Sequence, residues 1–200
     1  MKKLIFAIAL IAAMPMVAQN TWEQEEQQKK GNPDEKYMAG AVPVVDGKVT
    51  FTTTIEAPGK SAKQIYNILL GYMTKMTKEA NQFEQSRIAV SDSVGCKIIG
   101  NYQEWLVFKA TPLVLDRTRL LYNLIADCEN GKATITMTRI VYLYEEERDP
   151  QTLKAEEWID DENGLNRKKT KLARVSGKFR RKTIDRKDYL FGKFSELLKN

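Results

Sequence analysis

Through residues 96–110, 117–128 and 133–144, apolar and polar side chains alternate in three long runs. A period of two puts all the apolar side chains of a strand on one face, so these runs call for a sheet with one buried and one wet face. Thr111-Pro112 breaks the chain between the first two runs. Glu129-Asn130-Gly131-Lys132 joins the second and third, and Asn-Gly is a strong hairpin signal. Gly100-Asn101 reads as a bulge inside the first run.

Upstream, Val44 and Val45 lead through Asp46-Gly47 into Val49, Phe51, Thr53 and Ile55, which alternate with Thr50, Thr52, Thr54 and Glu56. This pattern predicts a hairpin whose edge strand tolerates Pro43, followed by a half-buried strand that stops at Pro58-Gly59. Ser61 and Gln64 have the spacing of a capping box. Ile65, Ile68, Leu69, Tyr72, Met73 and Met76 follow at helical spacing, so this helix lays one stripe on the sheet, with the methionines as core filler. Residues 87–90 form a short strand that turns at 92–95, and Leu190, Phe194, Leu197 and Leu198 mark a final amphipathic helix. The resulting β-α-β4-α order predicts an α+β fold, a curved antiparallel sheet with helices packed on one face.

The chain has two cysteines, Cys96 and Cys128. If the first two long runs pair around Pro112 so that partner numbers sum to 224, Ile98 faces Ala126, Tyr102 faces Tyr122 and Cys96 faces Cys128. Two readings stay open. One is a disulfide, worth roughly 3–4 kcal/mol by the loop-entropy model; the other is a pair of small buried hydrophobes. A bulge at Gly100 would turn the two cysteines apart.

Residues 1–18 carry the parts of an export signal. Lys2 and Lys3 precede an apolar stretch over 4–13 that is too short to span a bilayer, then Pro15, then Ala18 before Gln19. Met16 is larger than the ideal residue there and leaves the cut open by a residue or two. No cysteine follows the apolar stretch to take a lipid, and no second apolar stretch anchors the mature chain. The expectation is an exported protein, periplasmic or extracellular, that is not a lipoprotein. Residues 19–40 are polar and charged around Trp22 and are expected to be a flexible leader. Order is expected from near Val42, with residues 41–200 forming a single domain.

Histidine is absent, which excludes a Ser–His–Asp triad, a Cys–His pair and any His-based zinc site. No glycine-rich phosphate loop, CxxC pair or nucleophile elbow occurs. Acids cluster at residues 145–147 and 160–162, but consecutive acids in turns usually face solvent. No catalytic residue, cofactor or metal is expected.

The net charge of +6 is unevenly spread. Residues 167–187 hold eleven Lys/Arg against one acid, Asp185, so this segment carries +10 and the rest of the chain −4. Such a block can bind an anionic partner by steering and counterion release. An envelope polymer, a lipid head group and an acidic protein all qualify, with Arg174, Lys178, Arg180, Arg181 and Lys182 as candidate contacts. The plainer alternative is a solvated connector or edge strand, docked through Val175, Phe179 and Ile184 with its charges outward.

Glu156-Glu157-Trp158-Ile159, Gly164-Leu165-Asn166-Arg167-Lys168-Lys169, residues 178–185 and Asp188-Tyr189-Leu190-Phe191 resemble an exported bacterial family of unknown function with a TATA-binding-protein-like fold. So do Ala41-Val42-Pro43, Asp46-Gly47-Lys48-Val49 and Pro58-Gly59-Lys60-Ser61, and the resemblance covers most of residues 41–198. It implies the same β-α-β4-α order and brings no catalytic residues. Export separates such a protein from the chromosome, so no nucleic acid is expected despite the fold name. The leading expectation is a non-catalytic binding or envelope-associated module. A carrier of a small apolar ligand, with a cavity among Tyr72, Met76, Tyr102 and Tyr122, comes second. A carboxylate-dependent hydrolase, with Glu104 and an unnamed partner, is third.

Overall fold

The computed structural model of the chain describes residues 35–199. The expected export signal over 1–18, and the leader up to residue 34 with Trp22, lie outside the described residues. The strands are β1 (Val44–Val45), β2 (Lys48–Glu56), β3 (Arg87–Asp92), β4 (Lys97–Thr111), β5 (Val114–Glu129), β6 (Lys132–Tyr144) and β7 (Gln151–Lys154). The helices are α1 (Ala62–Met76), α2 (Ala155–Trp158) and α3 (Gly177–Lys199). The sheet runs β1-β2-β6-β5-β4-β3, antiparallel at each pairing, with β7 beside β6. β7 and α2 had no counterpart in the sequence pattern.

The long hairpin has the expected register: Ile98 pairs with Ala126 and Tyr102 with Tyr122. The bulge expected at Gly100 falls on its neighbour instead: Gly100 pairs with Leu124 in an unbroken ladder with β5, whereas β3 carries the extra residue Ala89 opposite Gly100 and Ile99. Glycine is needed at that position for a different reason. The Tyr102 ring folds back over it, and a Cβ would lie 2.5 Å from the ring. The shifts in register fall at Ile88/Val90, Val107/Lys109 and Leu121/Asn123. At the last of these, Arg139 adopts φ 54 and inserts one residue into β6. The core positions of β6 therefore change parity, from Ala133, Ile135 and Met137 to Ile140 and Tyr142.

α1 begins as expected. The Ser61 hydroxyl accepts from the Gln64 backbone N–H, and the Gln64 side chain accepts from the Ser61 N–H, the reciprocal capping box. The β5–β6 turn joins in: Asn130 Oδ1 accepts from the Ala62 N–H at 2.9 Å, and Gly131 N donates to the Lys60 carbonyl at 2.9 Å. One turn thus closes a hairpin and seats a helix. On the opposite, wet face of the sheet, Thr50–Thr138, Thr52–Thr136 and Thr54–Thr134 hydroxyl pairs link β2 to β6.

The C-terminal segment differs most from expectation. Residues 177–187 are the first half of the 23-residue helix α3 rather than a connector or edge strand. Phe179, Thr183, Ile184, Leu190, Phe194 and Leu198 are buried along it, and Arg180 and Arg186 are buried with them. Val175, expected to dock, is 57% exposed. Folding also starts earlier than residue 41, because Tyr37, expected in the flexible leader, is buried and donates its hydroxyl proton to Asp185 at 2.6 Å.

α3 meets the sheet through a buried ion pair. Glu104 in β4 is fully enclosed. Its Oε1 accepts from Arg186 Nε at 2.8 Å and Tyr122 Oη at 2.7 Å. Its Oε2 accepts from Arg186 Nη2 at 2.8 Å, Asn81 Nδ2 at 2.6 Å and Gln82 Nε2 at 3.1 Å. Burial works against the Arg186 charge, yet the Glu104 carboxylate outweighs it and raises the Arg186 pKa above its ordinary value.

Cys96 and Cys128 come side by side as the register required, with Cys128 N donating to the Cys96 carbonyl at 3.0 Å. Both are free cysteines, so the candidate disulfide is not formed in the structure. Cys96 sits at φ 49, and its thiol turns back toward the Ser93 carbonyl, 3.8 Å away. Burial, with Cys96 and Asp127 adding to it, pushes the Cys128 thiol up to about 12.

Breaking the Glu104–Arg186 pair leaves a buried charge uncompensated. Glu104→Gln is expected to cost about 3–5 kcal/mol in urea unfolding, and adding Arg186→Met should recover part of that loss. An additive double variant would contradict the pairing. With the Cys128 thiol protonated and enclosed, alkylation of the folded protein at neutral pH should run on the order of a hundredfold slower than in denaturant. Mass spectrometry of time-quenched samples measures both rates.

Candidate functional site

The eleven cations of residues 167–187 divide into two groups once α3 forms. Of the five candidate contacts, Arg180 is the least available. Its guanidinium is fully buried and donates to the carbonyls of Tyr37 at 2.7 Å, Met38 at 2.6 Å and Ile159 at 2.7 Å, and to Asp161 Oδ1 at 2.8 Å. It ties α3 to the N-terminal segment and to the end of α2. Lys178 lies 2.7 Å from Asp116 and 3.0 Å from the Tyr144 hydroxyl, over the Phe108 and Tyr144 rings. Arg181 lies over the Tyr37 ring, and both it and Lys182 are half-buried and partnered. Arg174 alone of the five is exposed and makes no ion pair among the described residues.

The other exposed cations are Arg167, Lys168, Lys169 and Lys171, on the loop between α2 and α3, and of these Lys169 pairs with Glu162. This loop is built rather than loose. Leu165 and Leu172 form an antiparallel bridge, Asn166 N donates to the Lys171 carbonyl at 2.9 Å, and Lys169 N to the Asn166 carbonyl at 2.7 Å. The Asn166 side-chain oxygen accepts from Thr170 N at 2.8 Å and Lys171 N at 3.2 Å. An Asx-type clasp of this sort suits Asn, and Lys169 takes the left-handed turn position at φ 54. At the root, a Cβ on Gly164 would meet the Ile159 carbonyl at 2.7 Å and Arg180 Cδ at 2.8 Å, so only glycine fits there.

The neighbouring acids offset only part of this loop's charge. Asp160 caps the Asn163 N–H, Asp161 is shared by Arg180 and the Gly40 N–H, and Glu162 pairs with Lys169. Arg167, Lys168, Lys171 and Arg174 are left as a cationic knuckle on a pinned backbone. Of the expected contacts Arg174, Lys178, Arg180, Arg181 and Lys182, only Arg174 belongs to this exposed set. Helical spacing held the missing signal: Arg180 lies four residues before Ile184 and Arg186 four before Leu190, on the apolar stripe itself.

The interior expected to hold an apolar ligand is filled by side chains. Tyr102 and Tyr122 stack with centroids 5.4 Å apart, Tyr102 Oη donates to the Met73 carbonyl at 2.9 Å, and Met73 and Met76 are fully buried. Tyr72 packs edge-on against Phe194. The acids at residues 145–147 instead border a cleft of about 270 Å³ on the wet face, with Trp105, Leu115, Arg117, Leu143 and Arg148. Arg117 stacks on Trp105 at 3.7 Å, Phe83 packs on Trp105, Arg119 covers Phe83 at 4.0 Å, and Glu146 accepts two hydrogen bonds from Arg119. Glu104, the acid named for hydrolysis, lies on the other face, enclosed and paired. Among the described residues no group of three or more His, Cys, Asp or Glu is placed to hold a metal ion.

Removing the Arg180 guanidinium would take this donor from the buried Tyr37 and Ile159 carbonyls and leave the Met38 carbonyl with the Ala41 N–H. Arg180→Ala should lower the unfolding free energy by about 2–4 kcal/mol, and Arg180→Lys should restore only a minor part, since one ammonium cannot reach four acceptors in a planar fork. A full rescue by lysine in urea titrations would show that charge alone matters at this position.

The sequence pattern of a domain of unknown function (DUF4468) with TBP-like fold matches residues 51–143. Among solved structures, a DUF4468 family protein from Bacteroides ovatus ATCC 8483 is 38% identical, with a TM-score of 0.75, over 86% of this chain and 97% of that one. A TBP-like protein from Parabacteroides distasonis ATCC 8503 is 22% identical, with a TM-score of 0.64, over 80% of this chain and 97% of that one, a likeness of fold alone. No curated protein matches. Shared sequence over so much of both chains, on the curved antiparallel sheet described above, makes this chain a member of the DUF4468 family with its TBP-like fold.

Proposed function

We propose that the protein is an exported, non-catalytic binding module of the cell envelope that meets an anionic partner through the loop between α2 and α3. The observation that carries this reading is the division of charge. Seven of the segment's eleven cations have partners within the molecule, Arg180 and Arg186 of them buried, whereas Arg167, Lys168, Lys171 and Arg174 face solvent without an ion pair among the described residues, on a backbone pinned by Asn166. A cationic cluster held in place loses little entropy on binding and acts over a Debye length of about 8 Å at physiological salt. Histidine is absent, and Glu104 and Glu146 are tied up in ion pairs, which favours binding over catalysis. The export signal and the lack of any lipid-accepting cysteine near it support a periplasmic or extracellular location.

The test is binding of the processed protein, residues 19–200, to fluorescent dextran sulfate across a salt series. Binding should weaken steeply with salt, and the variant R167Q/K168Q/K171Q/R174Q should bind at least about tenfold more weakly with a shallower salt slope. Undiminished binding in that variant, with its thermal unfolding unchanged, would refute the assignment of the site.

A further inference from the structure

The same end of the molecule presents an apolar element beside the cations. β4 and β5 project past the body of the sheet, and their turn leaves Leu113 95% exposed, with Leu115 at 52% and Val114 at 46%. Three adjoining apolar side chains at a hairpin tip are costly in water and contribute nothing to the core. The tip is fastened to α3 by Lys178 Nζ, 2.7 Å from Asp116, which lies one residue beyond Leu115. Lys178 in turn follows Val175, which is 57% exposed, and Arg174 by three and four residues. The exposed Lys109, opposite Asp116 in the ladder, adds a cation on the hairpin itself.

One flank of the tip carries acid as well as base: Leu113, Val114 and Leu115 border a cleft with Asp116, Tyr144, Glu145 and Arg148. The turn after β6, with Glu145, Glu146 and Glu147, lines the wet-face cleft alongside Trp105, Arg117 and Leu143, and Glu146 is held there by Arg119. Where the hairpin meets α3, Lys178 and Lys109 stand beside the apolar tip, with Asp116 paired to Lys178. Resting on the reading of the basic loop given above, we infer that this end of the protein docks on an anionic lipid surface. Leu113, Val114, Leu115 and Val175 enter the boundary between head groups and acyl chains, and the loop cations with Lys109 meet the phosphates. A soluble polyanion would satisfy the cations but leave the apolar tip in water. A lipid surface satisfies both, because interfacial binding adds buried apolar area to attraction for anionic lipid.

The experiment is sedimentation of the processed protein, residues 19–200, with vesicles of phosphatidylcholine alone or mixed with phosphatidylglycerol. Dextran sulfate binding is measured in parallel. The protein should sediment with the anionic vesicles and not with the neutral ones. The hairpin variant L113S/V114S/L115S should lose about tenfold or more of its vesicle binding while keeping its binding to dextran sulfate. The loop variant R167Q/K168Q/K171Q/R174Q should lose both. In a Leu113→Trp variant, emission should shift to the blue on adding anionic vesicles and stay put with dextran sulfate. Vesicle binding that the hairpin variant retains in full overturns the lipid inference, as does wild-type binding to dextran sulfate without binding to vesicles. Dextran sulfate binding undiminished in the loop variant overturns the underlying reading instead. Thermal unfolding of each variant checks that its fold is intact.

Discussion

The Glu104–Arg186 pair sets the position of everything on the covered face of the sheet. A carboxylate closed off from water in the middle of a strand is strongly destabilising unless it is compensated. Here five hydrogen bonds from four residues compensate it, two of them the parallel fork of one arginine. Because the fork must meet both oxygens, α3 can neither slide nor rotate along the sheet without losing it. The same carboxylate also holds Asn81 and Gln82, and so the connection that follows α1. One buried charge thereby relates both long helices to β4 and β5.

The remaining cations of α3 follow from that placement. Six residues upstream of Arg186, roughly 9 Å along the helix axis, Arg180 comes level with the carbonyls of Tyr37, Met38 and Ile159 and takes them as acceptors. Near the helix start, Lys178 falls against the root of the β4–β5 hairpin. These contacts turn a run of like charge, which would repel itself if solvated, into three anchors for three parts of the chain. They also explain why the loop before α3 keeps its charge. Asp161 pairs with Arg180 and Glu162 with Lys169, Asp160 caps the Asn163 N–H, and among the described residues no carboxylate forms an ion pair with Arg167, Lys168, Lys171 or Arg174.

The charges of the C-terminal part thus fall into a tied and an untied set. Groups buried with partners hold the fold, and changing them alters stability. Groups on a clasped loop at the molecule's end cost the fold little and remain available to a partner. The apolar tip of the β4–β5 hairpin belongs to the second set. It extends the two strands beyond the length the core requires, and it is bound to the basic loop's end of the molecule through Asp116 and Lys178.

The strand pattern, the capping box at Ser61, the Asn-Gly turn and the register of the long hairpin were legible in the sequence, because alternation, turn chemistry and capping act between near neighbours or along a constant register. Membership of the family was legible too, from short stretches of wording along the chain. The bulges were not: Gly100 looked like one and proved to make room for a tyrosine ring, with the extra residue opposite it in β3, whereas the insertion at Arg139 has no glycine to mark it. The fate of the basic segment was half legible. Helical phase put Arg180 and Arg186 on the buried stripe, but burial of an arginine makes sense only once its partner is known. Glu104 lies 82 residues from Arg186, and the carbonyls of Tyr37 and Met38 lie more than 140 from Arg180. The sequence by itself determined the long strands, the capped helix α1 and how much charge the C-terminal part carries. Only the tertiary structure decided which charges are spent inside and which reach solvent, because that choice depends on acceptors brought close by the fold and distant along the chain.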